Sequence, residues 1–144
     1  MNVLHLHLSD EPAIRMESKL YPELTSSLPS DSFYSQLDLK KLIEYAKARA
    51  VRIIPEIDVP AHAGGLRSLV PRGLTYCDSP MNTTLSEDSS NLDLLDGLFK
   101  EVSELFQDDF IHFGADEACK KDVCPGKCTN KGVHAIEEHV QRKH

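Results

Sequence analysis

The alternation of strand-like and helix-like segments is the feature that most constrains the fold of this chain. Short runs rich in Val, Ile, Leu and Phe predict strands buried on both faces, over residues 2–8, 51–57 and 110–114. Apolar residues at helical spacing predict a helix after each strand, over residues 37–49, 92–106 and 133–144. Ser35 is the expected N-cap of the first helix. This order favours parallel strands joined by right-handed crossovers, which indicates an α/β layer or barrel fold.

Polar residues gather where the predicted strands end. Long connections crowded with Pro, Ser, Gly and Asp follow the first two strands, over residues 9–34 and 58–91. In a parallel α/β barrel the loops at the carboxyl ends of the strands form the site, so these polar residues are catalytic candidates. Alternation in the third strand predicts His112, Gly114 and Asp116 on one face. Glu117 reaches that face only if the backbone changes direction after the strand.

The charge balance excludes several classes of partner. Acidic residues outnumber basic residues by 23 to 16, which gives a formal charge of −7. Lys and Arg form no run longer than a pair, so we expect no nucleic-acid partner and no binding to an anionic membrane.

No apolar run approaches the roughly 20 residues that span a bilayer, and no signal peptide is evident. Because Met1 leads directly into a strand, we expect the chain to be a piece of a longer fold.

Asp116 and Glu117 are adjacent carboxylates at the end of a predicted strand. Such a pair can divide acid and base work, because burial raises the pKa of one carboxyl while hydrogen bonds keep the other ionised. An Asp-Glu pair in isolation is also typical of a solvated helix start. The dipeptide alone therefore leaves both interpretations open.

Several blocks of sequence occur in an order that is typical of one known family. They are His-Phe-Gly-Ala-Asp-Glu at 112–117, Val-Leu-His-Leu-His-Leu at 3–8 followed by Ser9 and Asp10, and Ile-Pro-Glu-Ile-Asp at 54–58 followed by His62. Residues 15–24 and 34–60 fill the intervals between these blocks. Together they resemble the second to fourth strands of the β-N-acetylhexosaminidases of glycoside hydrolase family 20. The resemblance is nearly continuous over residues 2–118.

The resemblance implies an α/β fold that is part of a (β/α)8 TIM barrel, with about three βα units that correspond to strands two to four. Residues 1–144 would form a partial catalytic domain, in which 119–144 are a Cys-rich loop and a C-terminal helix. The implied reaction is hydrolysis of terminal non-reducing N-acetyl-β-D-hexosamine residues, glucosamine- or galactosamine-based, with retention and assistance from the substrate's acetamido group. The resemblance also implies no cofactor, no metal, a lysosomal or secreted location, and homodimers of full-length members.

The resemblance carries specific roles to residues of this chain. Glu117 would protonate the leaving oxygen and then deprotonate water, while Asp116 would hold the acetamido N–H and stabilise the oxazolinium intermediate. Asp10 and His62 match positions around the bound sugar. The supporting residues are His112, Glu56 and Asp58.

Several positions depart from the family pattern. Leu6 replaces a Trp, while Gly is replaced at Ala50, Ala61 and Ala115. Where the backbone has positive φ, each Ala costs roughly 1 kcal/mol or more. The family's sugar pocket is walled by tryptophans, yet this chain has no Trp, so we expect the 144 residues alone to have little or no hydrolase activity. An alternative is a non-catalytic relative that binds sugar or acts only as a scaffold.

The C-terminal segment has side chains that could bind zinc or form disulfides, namely Cys119, Cys124, Cys128, His134 and His139. A structural zinc site needs four nitrogen or sulfur ligands, but this spacing is not a standard zinc motif. In a lysosomal or secreted protein, disulfides within this segment or to Cys77 are favoured. The four cysteines allow three pairings, and the sequence does not choose among them.

Overall fold

A computed structural model describes residues 2–77, 83–86, 88–115 and 117. Strand, helix, strand and helix follow one another in these residues, as β1 (Val3–His7), α1 (Gln36–Lys47), β2 (Arg52–Glu56) and α2 (Ser89–Phe106). Two 3-10 helices, Pro22–Leu24 and Ala63–Arg72, lie in the long connections. The two predicted strands and two predicted helices up to residue 106 are confirmed within a few residues. The predicted helix over 133–144 lies outside the described residues.

β1 and β2 form a parallel pair, in which Val3 lies opposite Arg52 and His7 lies opposite Glu56. Strands of this orientation need a crossover connection, and α1 supplies it. Leu6 packs against the core from β1, as alternation predicts. None of the helices in the described ranges is both long and apolar enough to cross a membrane.

The third predicted strand is wrong in its extent, because residues 110–114 make only one bridge, between Glu56 and His112. The segment still runs beside β2, since the His112 N–H donates to the Pro55 carbonyl at 2.9 Å and the Ile57 N–H donates to the His112 carbonyl at 3.1 Å. Before the bridge, the Phe110 N–H donates to the Asp108 side chain instead of a neighbouring strand. After the bridge, Gly114 is left-handed with φ 65°, which ends the extended conformation.

The apolar core lies between the sheet and the two helices. Leu39 from α1 and Leu98 from α2 are fully buried, and Ile53 of β2 meets them from the sheet side. Phe99 of α2 packs edge-on against Phe113, with ring centroids 5.1 Å apart and planes at 83°. Burying side chains of this size contributes about 1.5–3 kcal/mol each. This packing holds the carboxyl ends of the strands in fixed relative positions.

α1 begins and ends with recognisable local signals. The Ser35 hydroxyl accepts a hydrogen bond from the Asp38 N–H at 3.1 Å, which confirms the predicted N-cap. After the helix ends at Lys47, Ala50 adopts a left-handed conformation with φ 53°. Glycine adopts this conformation without a Cβ clash, so the Ala50 departure carries the expected strain.

Replacing Ala50 with Gly is expected to increase the free energy of unfolding by about 0.5–1 kcal/mol. Removing the Cβ relieves the strain of the left-handed backbone, and this gain is larger than the free-energy cost of the greater unfolded-state entropy of glycine. Urea unfolding followed by circular dichroism measures this free energy. The matched control is Ala48→Gly, because Ala48 is also exposed but has φ −61°. That control is expected to destabilise, and equal shifts for both variants would contradict the strain at Ala50.

Glu101 of α2 joins three separate parts of the chain. Its carboxylate accepts hydrogen bonds from the Ser18 hydroxyl at 2.5 Å, the Lys19 N–H at 2.6 Å and the Gln36 side-chain amide at 2.8 Å. The loop after β1 and the first turn of α1 are therefore both fastened to α2. This loop leads directly from Asp10, so the anchor also limits movement near the strand ends.

Candidate active site

The described candidate residues meet at the carboxyl ends of β1 and β2. Asp10 follows β1, while Asp58 and His62 follow β2. The parallel register brings these strand ends side by side, and the bridge to His112 adds the next segment. Among the sequence-predicted residues, Asp116 lies outside the described residues.

Glu56 is the centre of a histidine cluster inside this site. Its side chain is buried, with 7% of the residue exposed, and its carboxylate is in close contact with His5 Nε2. His7 Nδ1 lies 3.3 Å from Glu56 Oε2, and His112 Nδ1 lies 3.5 Å from Glu56 Oε1. The rings of His5 and His112 have centroids 4.7 Å apart and planes tilted by 47°. Glu56 therefore acts as a common partner for side chains from three adjacent segments.

The backbone changes direction immediately before the predicted acid. Gly114, Ala115 and Glu117 have φ of 65°, 64° and 56°. Two hydrogen bonds fasten the turn, because the Gly114 N–H donates to His112 Nδ1 at 2.9 Å and the Ala115 N–H donates to Asp58 Oδ1 at 3.3 Å. This geometry supplies the change of backbone direction that Glu117 needs in order to reach the polar face of the sheet. His112 and Asp58 thus both hold the turn that precedes Glu117.

His62 lies between the predicted acid and the end of β1. Its Nε2 is 3.2 Å from Glu117 Oε2, and its Nδ1 is 3.6 Å from Asp10 Oδ1 and 3.7 Å from Glu11 Oε1. His62 itself is left-handed, at φ 53°, and its ring lies beside all three carboxylates. Strained residues of this kind cluster at functional sites. An imidazole held between carboxylates can pass or share a proton with either of them.

The charges around β1 are mutually stabilising. Burial opposes protonation of His7, but hydrogen bonds and charge attraction from Glu56 and Asp10 raise its pKa above the ordinary value of 6.5. The Glu11 N–H lowers the pKa of the Asp10 carboxyl, and despite partial desolvation His7 and His62 lower it further. Asp10 is therefore held ionised, and His7 beside it favours the protonated form.

Ser9 is a site residue that the sequence analysis missed. Its hydroxyl accepts a hydrogen bond from the Asp58 N–H at 2.8 Å, and both residues are buried. Because Asp58 in turn receives the Ala115 N–H, Ser9 supports the turn that carries Glu117. A serine after a strand gives no signal by itself, since the contact depends on a residue 49 positions away.

Replacing Ser9 with Ala is expected to cost about 1–3 kcal/mol of unfolding free energy, because the buried Asp58 N–H loses its acceptor. Chemical denaturation is the measurement. Ser32→Ala is the matched control, since that hydroxyl is exposed and water can replace its bond to Pro29. A cost no larger than that of the control would contradict a role for Ser9 in fixing Asp58.

The glycine-to-alanine departures have different outcomes. Ala115 has positive φ, like Ala50, so both expectations of strain are confirmed. Ala61 does not have positive φ, so the condition for strain is not met there, and the left-handed residue is His62 instead. Cys77 is buried and disulfide-bonded, which confirms the disulfide interpretation for this residue. The other three cysteines lie outside the described residues.

Comparisons with known proteins are consistent with this site. Residues 1–141 match the glycosyl hydrolase family 20 catalytic domain. A probable beta-hexosaminidase of Arthroderma benhamiae is 35% identical over 134 residues, covering 81% of this chain and 22% of that protein. The beta-hexosaminidase subunit beta of Homo sapiens is 37% identical over 127 residues, with the same coverage of 81% and 22%. The chain therefore spans 22% of the length of these curated relatives.

A solved structure extends the likeness to three dimensions. The beta-N-acetylhexosaminidase from Bacteroides fragilis matches with a TM-score of 0.78 and 29% identity, covering 99% of this chain and 34% of that one. The structural relatives are of a TIM-barrel family, and the described residues form a small α/β part of such a fold. Since the catalytic-domain match covers residues 1–141, this chain belongs to glycosyl hydrolase family 20.

Proposed function

We propose that this chain carries the acid–base part of a β-N-acetylhexosaminidase site, which removes terminal non-reducing N-acetyl-β-D-hexosamine residues with retention of configuration. The observation that carries this proposal is the 3.2 Å contact between His62 Nε2 and Glu117 Oε2 at the carboxyl ends of parallel strands. A general acid must hold a proton and later remove one, and an adjacent imidazole can exchange it. Family membership supplies the reaction class for this arrangement.

Glu117 is the acid and base in this mechanism. It protonates the glycosidic oxygen as the sugar leaves, and then takes a proton from the water that attacks the intermediate. His62 orients this carboxyl through Nε2, while Asp10 and Glu11 face Nδ1 of the same ring. Asp10 thereby helps to hold the imidazole in one orientation.

Asp116 acts on the substrate's own nucleophile. Its carboxylate accepts the acetamido N–H, so that the acetamido oxygen attacks the anomeric carbon and the positive charge of the oxazolinium is stabilised. The hydrogen bonds from Gly114 and Ala115 support this assignment, because they fix the turn that precedes Asp116. His112, Glu56 and Asp58 support the reaction by holding that turn.

The substrates that we infer are glycans ending in N-acetylglucosamine or N-acetylgalactosamine. We infer that residues 1–144 are a partial catalytic domain that contributes strands two to four of the barrel, while the predicted Cys-rich loop and C-terminal helix over 119–144 lie outside the described residues. The names of relatives as subunits suggest oligomers, and we infer that the whole protein forms a homodimer. We infer a lysosomal or secreted location, and the disulfide at Cys77 agrees with an oxidising compartment.

Hydrolysis of a chromogenic N-acetyl-β-glucosaminide tests the proposal. The substrate is offered to the 144-residue chain and to a polypeptide extended by whatever flanking sequence the gene encodes. Glu117 is 47% exposed at its side chain here, whereas acid catalysis is most effective where water is excluded. We therefore expect activity in the extended polypeptide and little in the short chain.

Each outcome of that experiment has a distinct meaning. Activity confined to the extended polypeptide supports the hydrolase assignment. Sugar binding without turnover in the extended polypeptide would overturn it in favour of a non-catalytic relative. Full activity in the 144-residue chain would support the hydrolase but contradict the partial-domain assignment.

A further inference from the structure

We propose that His5, Glu56 and His112 form a binding site for a divalent metal ion of intermediate softness, with Zn²⁺ as its preferred occupant. This inference goes beyond the proposed hydrolysis, which uses carboxylates and the substrate's acetamido group. It rests on the histidine cluster around Glu56 and is independent of Glu117. The site lies deeper in the strands than the acid, at the level where β1, β2 and the His112 bridge are side by side.

The donor atoms have the composition of a known class of zinc site. Two histidines and one glutamate are the protein ligands of open zinc sites, in which water or another group takes the fourth position. One ligand atom from each of the three residues lies within 4.8 Å of the others. Ligand atoms about 2.0–2.2 Å from a tetrahedral ion are roughly 3.3–3.6 Å apart. A contraction of at most about 1.5 Å between ligand atoms, achieved by side-chain rotation, is therefore enough.

The backbone holds these side chains in place before an ion arrives. His5 lies opposite Ile54 in the β1–β2 register, so its ring and the Glu56 side chain come from paired strands. His112 is fixed on the other side of β2 by its bridge to Glu56 and by its N–H bond to the Pro55 carbonyl at 2.9 Å. Little backbone entropy remains to be lost on binding, which favours affinity.

Charge and access also suit a cation. Glu56 is a buried carboxylate, whereas the side chains of His5 and His112 are 50% and 52% exposed and leave a path from solvent. His7 Nδ1 is 3.3 Å from Glu56 Oε2, the oxygen that His5 also contacts, so His7 is the nearest candidate for a fourth ligand. Its Nε2 faces Asp10 Oδ2 at 3.3 Å, which is the carboxylate support that zinc-binding histidines usually have.

The competing interpretation is a network held together by protons alone. A carboxylate can accept about four hydrogen bonds, so His5 and His7 can satisfy Glu56 without any metal, while His112 Nδ1 already accepts the Gly114 N–H. Zn²⁺ would have to displace those protons, because it binds neutral imidazole and ionised carboxylate. A titration with the metal distinguishes the two interpretations without involving substrate or activity.

Zinc binding is measured by competition with a chromophoric chelator near pH 7.5, on the oxidised full chain after removal of all metals. We expect saturable binding of one Zn²⁺ by the cluster. His5→Gln and His112→Gln are each expected to weaken this binding about 100-fold or more, because loss of even a supporting residue costs about 10–100-fold. The matched control is His62→Gln, which removes a histidine outside the cluster and is expected to change affinity less than about threefold.

Cobalt separates the cluster from the C-terminal cysteines. Co²⁺ bound by imidazole and carboxylate gives visible ligand-field bands, while thiolate ligands add charge-transfer bands in the near ultraviolet. We expect the visible ligand-field bands without the near-ultraviolet charge-transfer bands of thiolate ligands. Should a variant fail to fold, the ring NMR signals of the unmodified chain provide the same test, since Zn²⁺ should shift those of His5 and His112 but not His62. Absence of saturable binding, undiminished binding in both variants, or thiolate bands would each overturn the proposal.

Discussion

Replacing Glu117 with Gln is expected to lower kcat/KM of the extended enzyme about 10²–10⁴-fold, the largest effect that we predict on the reaction. The amide has the shape of the acid and can still contact His62, but it cannot deliver or remove a proton. The loss should be greater for a substrate with a poor leaving group than for a nitrophenyl glycoside, because the latter departs with less acid assistance. Steady-state kinetics with both substrates measures this difference.

The matched control for this prediction is Glu104→Gln. Glu104 is an exposed glutamate on α2, away from the strand ends. We expect its replacement to leave kcat/KM within about twofold, since surface substitutions have small effects. Equal losses for the two leaving groups in Glu117→Gln would argue that Glu117 stabilises structure or charge without acting as the acid.

Replacing Gly114 with Ala is expected to reduce the free energy of unfolding by about 2–4 kcal/mol, through a backbone effect and a steric effect together. The backbone φ of 65° is unfavourable for alanine. An added Cβ would also lie 1.9 Å from Asp58 Oδ1 and 3.0 Å from Glu56 Oε1. Both carboxylates would have to move, and the turn toward Glu117 would move with them. Urea unfolding and catalytic assay of the same variant test the two consequences.

Gly73→Ala separates the two effects. Gly73 also has positive φ, at 101°, but an added Cβ there would meet only Ser90 Cβ at 3.9 Å. Its replacement should therefore cost only the backbone strain, about 1–2 kcal/mol, and should leave activity unchanged. If Gly114→Ala costs no more than Gly73→Ala, the proximity of Asp58 and Glu56 to the turn is not energetically important.

The elements with local signals could be predicted from the sequence. α1 has helical apolar spacing and a serine cap, and the apolar runs of β1 and β2 have strand length and composition. The third strand was predicted too long because the Phe110 N–H bonds locally to Asp108 and Gly114 is left-handed, and the apolar composition of the segment indicates neither feature. The 3-10 helix Ala63–Arg72 was missed, since it contains the glycines and proline that usually indicate a loop.

The candidate site was only partly visible in the sequence. Side chains alternate along a strand, so His5 and His7 share a face of β1. Their common partner Glu56 depends on the register between two strands, which no local pattern encodes. His62 was found through the family resemblance. Its contact with Glu117 spans 55 residues and requires two left-handed positions that single-residue propensities disfavour. Ordered motifs therefore predicted which residues matter, while long-range geometry determined how they meet.

The Glu101 anchor has a consequence for the order in which the chain folds during its synthesis. The Ser18 hydroxyl and its carboxylate partner are separated by 83 residues. A ribosome that adds about 5–20 residues per second needs roughly 4–17 s to produce that interval. Until α2 emerges, the loop after β1 lacks the helix to which it is fastened. The nascent chain therefore exposes this loop to chaperones and proteases for seconds, and α2 is the segment that ends the exposure.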